Sequence, residues 1–210
     1  MTMPEPSTAG QWQQGWWQHA RPCPSPNFGP RPEGMPITLA VLHSISLPPG
    51  QYGGPHIEAL FTNQLDVSAH PYFEQIRGLE VSSHFVIRRN GEVVQFVSVL
   101  DRAWHAGTSS WRELDNCNHH SVGIELEGLE GDTFEPAQYQ ALLMLIQSLN
   151  QAWPVHLLAG HEHIAPGRKA DPGPGFDWTW LRAHLHWPEE AFPDTLGSAP
   201  TGNVAGAQRA

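Results

Sequence analysis

The order of apolar and polar positions divides the chain into short blocks. Residues 37–43 (ITLAVLH) are an unbroken apolar run ending on His43, the pattern of a strand covered on both faces. SVGIELEG (121–128) and His156-Leu157-Leu158-Ala159 predict two further buried strands. SHFVIRRNGEVVQFV (83–97) alternates on either side of Asn90-Gly91, a pair that tolerates positive φ, and predicts a hairpin. Helical stretches fall between these blocks. Pro55 starts a short helix to about Leu65, and HPYFEQI (70–76) predicts another helical piece. Glu135-Pro136 opens a helix to about Ala152, whose stripe Tyr139, Leu142, Leu143, Ile146, Leu149 has helical spacing and faces the core. Asp177 is placed to cap a last helix, WTWLRAHLH. Strands interleaved with helices predict an α/β fold: one domain, with a central mixed β-sheet flanked by helices.

The ends of the chain differ from its middle. Residues 1–36 are rich in Pro, Gly and Trp, and predict an extension that packs on the body through Trp12, Trp16 and Trp17. Residues 37–192 carry the periodic pattern of the domain, and 101–120 within it show none. Residues 193–210 offer almost nothing to bury and predict a disordered tail. The loop SLPPGQYGGP after the first strand is built of turn formers.

Composition narrows the function. A chain of 210 residues suffices for one domain with a core. It holds no apolar run of membrane-spanning length. The first residues lack the basic start and apolar core of an export signal, which predicts a cytoplasmic protein. A net charge of −10 argues against nucleic acid as partner, while leaving room for a small acidic ligand at a local cation. Cys23 and Cys117 are far apart and have no metal-ligand spacing, so two free thiols are expected.

The densest chemistry lies in GHEHIAPGRKADPGPGFDW (160–178), which puts His161, Lys169 and Asp171 in one irregular stretch after a buried strand. His43 and Glu125 end or occupy two other strands. Two histidines and a carboxylate around an open metal position, with a Glu and a Lys beside them, are the parts of a zinc-dependent hydrolase. Each part has an ordinary structural reading too: a strand-end His, or an Asp-Pro turn. The residue pattern alone leaves both open. His161-Glu162-His163 lacks the four-residue His spacing of helical metalloproteases, and no Gly-x-Ser-x-Gly elbow or phosphate-binding glycine loop occurs.

VLHSISLPPGQYGGP, SSHFVIRRNGEVVQFV, RAWHAG, SVGIELEG and GHEHIAPGRKADPGPGFDW together resemble, in order and spacing, the AmpD family. These are cytoplasmic 1,6-anhydro-N-acetylmuramyl-L-alanine amidases of peptidoglycan recycling, within the class 2 amidase and peptidoglycan-recognition-protein superfamily. The resemblance spans residues 16–178 and implies a central mixed sheet with the site in a groove at one edge. It implies one zinc ion held by His43, His161 and Asp171, with Glu125 as acid/base and Lys169 stabilising the transition state. Glu127 shares Glu125's strand face and is its rival. Trp104, His105, Leu126 and Ala165 fall in segments that contact substrate in relatives. The implied partner is a small muropeptide, and the chain is expected to be monomeric. Two departures stand out: Glu80 and Asn116 occupy positions where some relatives carry arginine, and Arg102, Arg112 or Arg168 are the cations near enough in sequence to compensate. A broader muramoyl amidase, or a muropeptide-binding module without catalysis, are the alternatives.

Overall fold

The computed structural model describes residues 11–193. Its six-stranded sheet uses β1 (Arg21–Pro22), β2 (Leu39–Ile45), β3 (Phe85–Ile87), β4 (Val93–Gln95), β5 (Ser121–Glu127) and β6 (Leu157–Gly160), in the order β6-β2-β5-β3-β4-β1. β6, β2, β5 and β3 run parallel, whereas β3 and β4 form the antiparallel hairpin around Gly91, whose φ is +86°. The sheet is mixed, as expected. The helices are α1 (His56–Phe61), α2 (Pro136–Ala152), the single turn α3 (His161–Ile164) and α4 (Trp178–Leu185).

Side chains alternate across the strands and so build two unlike faces. Ala40 and Leu42 of β2, Val122, Ile124 and Leu126 of β5, and Phe85 and Ile87 of β3 join the main core, which includes Leu142, Ile146 and Leu149 of α2 and Leu181 of α4. The opposite face carries Leu39, Val41 and His43 of β2 and Ser121, Gly123, Glu125 and Glu127 of β5. Caps fix the helix starts. Glu135 and Gln138 form a reciprocal capping box before α2, and Asp177 Oδ1 accepts from Trp180 N before α4.

Some boundaries differ from the sequence expectation. α1 stops at Phe61, and Pro71–Ile76 winds as a 3-10 helix. In α2 Leu145 is fully buried and Leu143 only partly, because the covered face is centred one residue further round. The stretch 101–120 is not wholly irregular. Asp101–Ala103 pairs with Phe28–Pro30, and Ser110–Trp111 with Leu114–Asp115. Trp12 donates to Ser148 Oγ at 2.8 Å and meets Trp153 edge-on, while Trp17 is buried beside it. The expected disordered tail, from residue 194 on, lies outside the described residues. Among those described, no helix is long and apolar enough to cross a membrane. Cys23 and Cys117 are both free.

Candidate active site

Strand register brings the distant motifs together. Glu125 of β5 pairs with His43 of β2 in parallel register, both on the face opposite the main core. On the other side of β2, Gly160 of β6 pairs with Leu42, so His161 follows at the level of His43. Three adjacent parallel strands thus deliver two histidines and a glutamate to their carboxyl ends, where ligands of such sheets commonly bind. The loop after α3 returns Asp171 to the same point, with Glu162 N donating to Asp171 O at 2.8 Å.

His43 Nδ1, His161 Nδ1 and Asp171 Oδ2 form a triangle with sides of 3.0, 3.0 and 3.1 Å. All three residues are buried, and each has one donor atom within reach of a shared metal ion. Burial pushes His43 down to about 4, against the opposing pull of Asp171, so the ring is neutral. Burial alone would raise Asp171, but the His161 and His43 rings packed against its carboxylate outweigh it and hold the carboxyl well below its usual range. A neutral imidazole and an anionic carboxylate are the protonation states that bind a divalent cation. With nitrogen and oxygen donors only and three protein ligands, the set fits a zinc site that keeps one position open.

Glu125, 8% exposed, faces this triangle. Burial and the negative charge of Asp171 push its carboxyl well above the usual range, with Lys169 opposing. Lys169 is exposed at the groove rim, and among the described residues its ammonium has no ion-pair partner. The groove has a volume of about 320 Å³ and an apolar wall that includes Leu47, Phe61, Ile76 and Leu79.

The remaining expectations divide. Trp104 and His105 line the groove. Leu126 and Ala165 do not. Leu126 alternates with Glu125 and its side chain is wholly in the main core, while Ala165 packs with Ala106, Cys117 and Ile164. Glu127 is tied up elsewhere, accepting from Gly53 N at 2.7 Å and Arg88 Nη1 at 3.0 Å. Glu80 is exposed outside the groove, and Asn116 sits at a turn with φ +52°. None of the three arginines lines the groove: Arg168 donates to the carbonyls of Ala106 and Thr108, and Arg112 donates to that of Glu190. Behind the site stand residues to which the motifs assign no role. Ser121, Asn118 and Arg31 stand behind His105, linked to it only through long-range pairing.

The family described as N-acetylmuramoyl-L-alanine amidase matches residues 33–174. The 1,6-anhydro-N-acetylmuramyl-L-alanine amidase AmpD of Citrobacter freundii is 49% identical over 172 residues, covering 81% of this chain and 92% of that protein. A crystal structure of a selenomethionine AmpD derivative superposes with a TM-score of 0.79 at 49% identity, covering 81% of this chain and 97% of the other. AmpDh3 from Pseudomonas aeruginosa, in complex with anhydromuramic pentapeptide, gives a TM-score of 0.52 at 27% identity, covering 73% of this chain and 62% of that one.

Proposed function

The chain belongs to the N-acetylmuramoyl-L-alanine amidase family, and on that premise we propose that it is a zinc-dependent amidase cutting the bond between the lactyl group of 1,6-anhydro-N-acetylmuramic acid and L-alanine. The carrying observation is the His43–His161–Asp171 triangle with Glu125 beside it at the ends of three parallel strands. The substrate is a small muropeptide, and the setting is cytoplasmic recycling of the cell wall. The similarity to AmpD over most of both chains and the muropeptide held by AmpDh3 support this reading.

His43, His161 and Asp171 would hold the zinc ion. When bound, zinc supplies a Lewis acid that lowers the pKa of water from about 15.7 towards 7. Glu125 takes the proton of the attacking water on its carboxylate and returns it to the leaving amine of L-alanine. Lys169 offers its ammonium to the developing oxyanion. Trp104 and the apolar wall give the sugar and lactyl group a surface from which water is excluded.

The test offers purified protein an anhydromuramyl peptide and its non-anhydro counterpart, with zinc, after chelation and with zinc restored. Cleavage of the anhydro form alone, lost and regained with zinc, is expected. Equal cleavage of both makes the protein a broader muramoyl amidase, and bound zinc without cleavage of either makes it a binding module.

A further inference from the structure

Two adjacent residues stand behind the two histidines of the triangle. His43 Nε2 lies 2.9 Å from His105 Nδ1, and His161 Nε2 lies 3.1 Å from the Ala106 carbonyl. A carbonyl only accepts, so His161 donates to it from Nε2, and in the neutral ring that a metal ion requires Nδ1 is then bare. The direction at His105 is set further back. Ser121 Oγ is 2.5 Å from the Cys117 carbonyl, and at that separation the hydroxyl proton lies between the two oxygens. Ser121 Oγ therefore presents lone pairs to His105 Nε2 at 3.1 Å, and His105 donates there. A neutral imidazole that donates from Nε2 accepts at Nδ1. His43 thus donates from Nε2 and turns a bare Nδ1 towards His161 and Asp171.

We infer that His105 and Ala106 act together as a positioning element, holding both ligand histidines as Nε2–H tautomers so that two Nδ1 lone pairs and the Asp171 carboxylate meet a zinc ion without a prior proton shift. The inference rests on the zinc reading of the triangle given above. It moves His105 from substrate contact to metal-site support. The pair is itself firmly held. Asn118 Oδ1 accepts from His105 N at 3.1 Å and from Ala106 N at 2.9 Å. Arg31 clamps the same turn, donating to the carbonyls of Asn118, His119 and Ser121 at 3.2, 2.9 and 2.8 Å. Arg168 reaches the Ala106 carbonyl from outside at 2.7 Å. Position 123 must be glycine for the ring to fit, since a Cβ there would lie 2.5 Å from it.

The experiment measures zinc affinity by competition with a chromogenic chelator for wild type, His105→Leu, His105→Asn and Ser121→Ala. The imidazole ¹⁵N pattern of His43 is recorded on the same proteins without zinc. His105→Leu is expected to weaken zinc binding about 10–100-fold, the usual cost of losing a group that orients a metal ligand. His105→Asn keeps an acceptor near the Nδ1 position and is expected to recover most of that loss. Ser121→Ala frees His105 to turn its tautomer, so it weakens binding less and shifts His43 from Nε2–H towards Nδ1–H. Wild-type affinity and tautomer in His105→Leu, or in Ser121→Ala should the leucine variant not fold, would overturn the inference. So would a loss in His105→Leu that asparagine fails to relieve, because His105 would then be packing only. Wild-type protein that binds no zinc overturns the zinc reading instead, and the zinc-free tautomer of His43 still decides the hydrogen-bond chain by itself.

Discussion

Glu125 and Glu127 lie two residues apart on the same face of β5, 8% and 1% exposed, and have opposite surroundings. Glu127 accepts from Gly53 N at 2.7 Å, Arg88 Nη1 at 3.0 Å and Arg89 N at 3.3 Å, and so ties the hairpin turn to the loop before α1. Arg88 continues this network to Glu58 at 2.7 Å, and Glu58 continues it to Arg21. Glu125, among the described residues, makes no side-chain hydrogen bond and faces Asp171 and Lys169 instead. Equal residues at equivalent positions therefore do different work because only one is supplied with partners. A buried carboxylate whose acceptor sites are filled is a joint, whereas one left unfilled beside charged groups is available for proton transfer. The face divides accordingly into a chemical pole around His43 and an anchoring pole around Arg88.

Removing the metal should separate the poles most sharply. Chelation is expected to reduce cleavage to background and zinc to restore it, while the melting curve keeps a single cooperative transition, because sheet and arginine network need no cation. Collapse of the fold on chelation would show that the poles are one unit. Glu125→Gln comes next: kcat falls about 10²–10⁴-fold, the range for a lost general acid/base, with zinc content and thermal midpoint unchanged. Near wild-type turnover would move the proton-transfer role elsewhere. Lys169→Ala should lower kcat about 10²–10³-fold, the cost of one oxyanion stabiliser, with zinc still bound. Loss of zinc in that variant would place Lys169 among the groups that build the site.

The strands and helices were legible because their signals are local. Asn90-Gly91 marks a hairpin, Glu135-Pro136 and Asp177 mark helix starts, and apolar runs mark β2, β5 and β6. The chemical pole was legible through His43, Glu125, His161, Lys169 and Asp171 because the motifs carrying them resemble a known family. What escaped depends on pairing across the chain. Leu126 lies in a matching segment, yet strand alternation turns its side chain away from Glu125 and into the core. His105 is visible as a histidine, but its work depends on Ser121 and Cys117, which meet it only once the turn at 117–119 is formed. Arg31 sits in a stretch of Pro and Gly without periodicity. Nothing local reveals that burial lowers it to about 10 while it supports the carbonyls of the turn at 117–119.

The smallest expected effect tests the comparison from the other side. Glu127→Gln keeps the shape of the side chain and, with its oxygen where Gly53 N and Arg88 Nη1 both donate, it removes the charge opposite Arg88 and puts an amide N–H₂ where Arg89 N now donates. Donor would face donor at a place sealed from water. Breaking a buried ion pair from one side commonly costs about 3–5 kcal/mol. Arg88 keeps Glu58, and that partner is at 2.7 Å, so about 2–3 kcal/mol is expected here, a fall in thermal midpoint of roughly 4–12 °C. Turnover of the folded enzyme should stay at the wild-type value, since Glu127 does not line the groove. The result that would break the division is the reverse: a kcat loss like that of Glu125→Gln at unchanged stability. That outcome would mean that the two carboxylates share the proton-transfer step, and that hydrogen-bond supply does not decide which buried glutamate reacts.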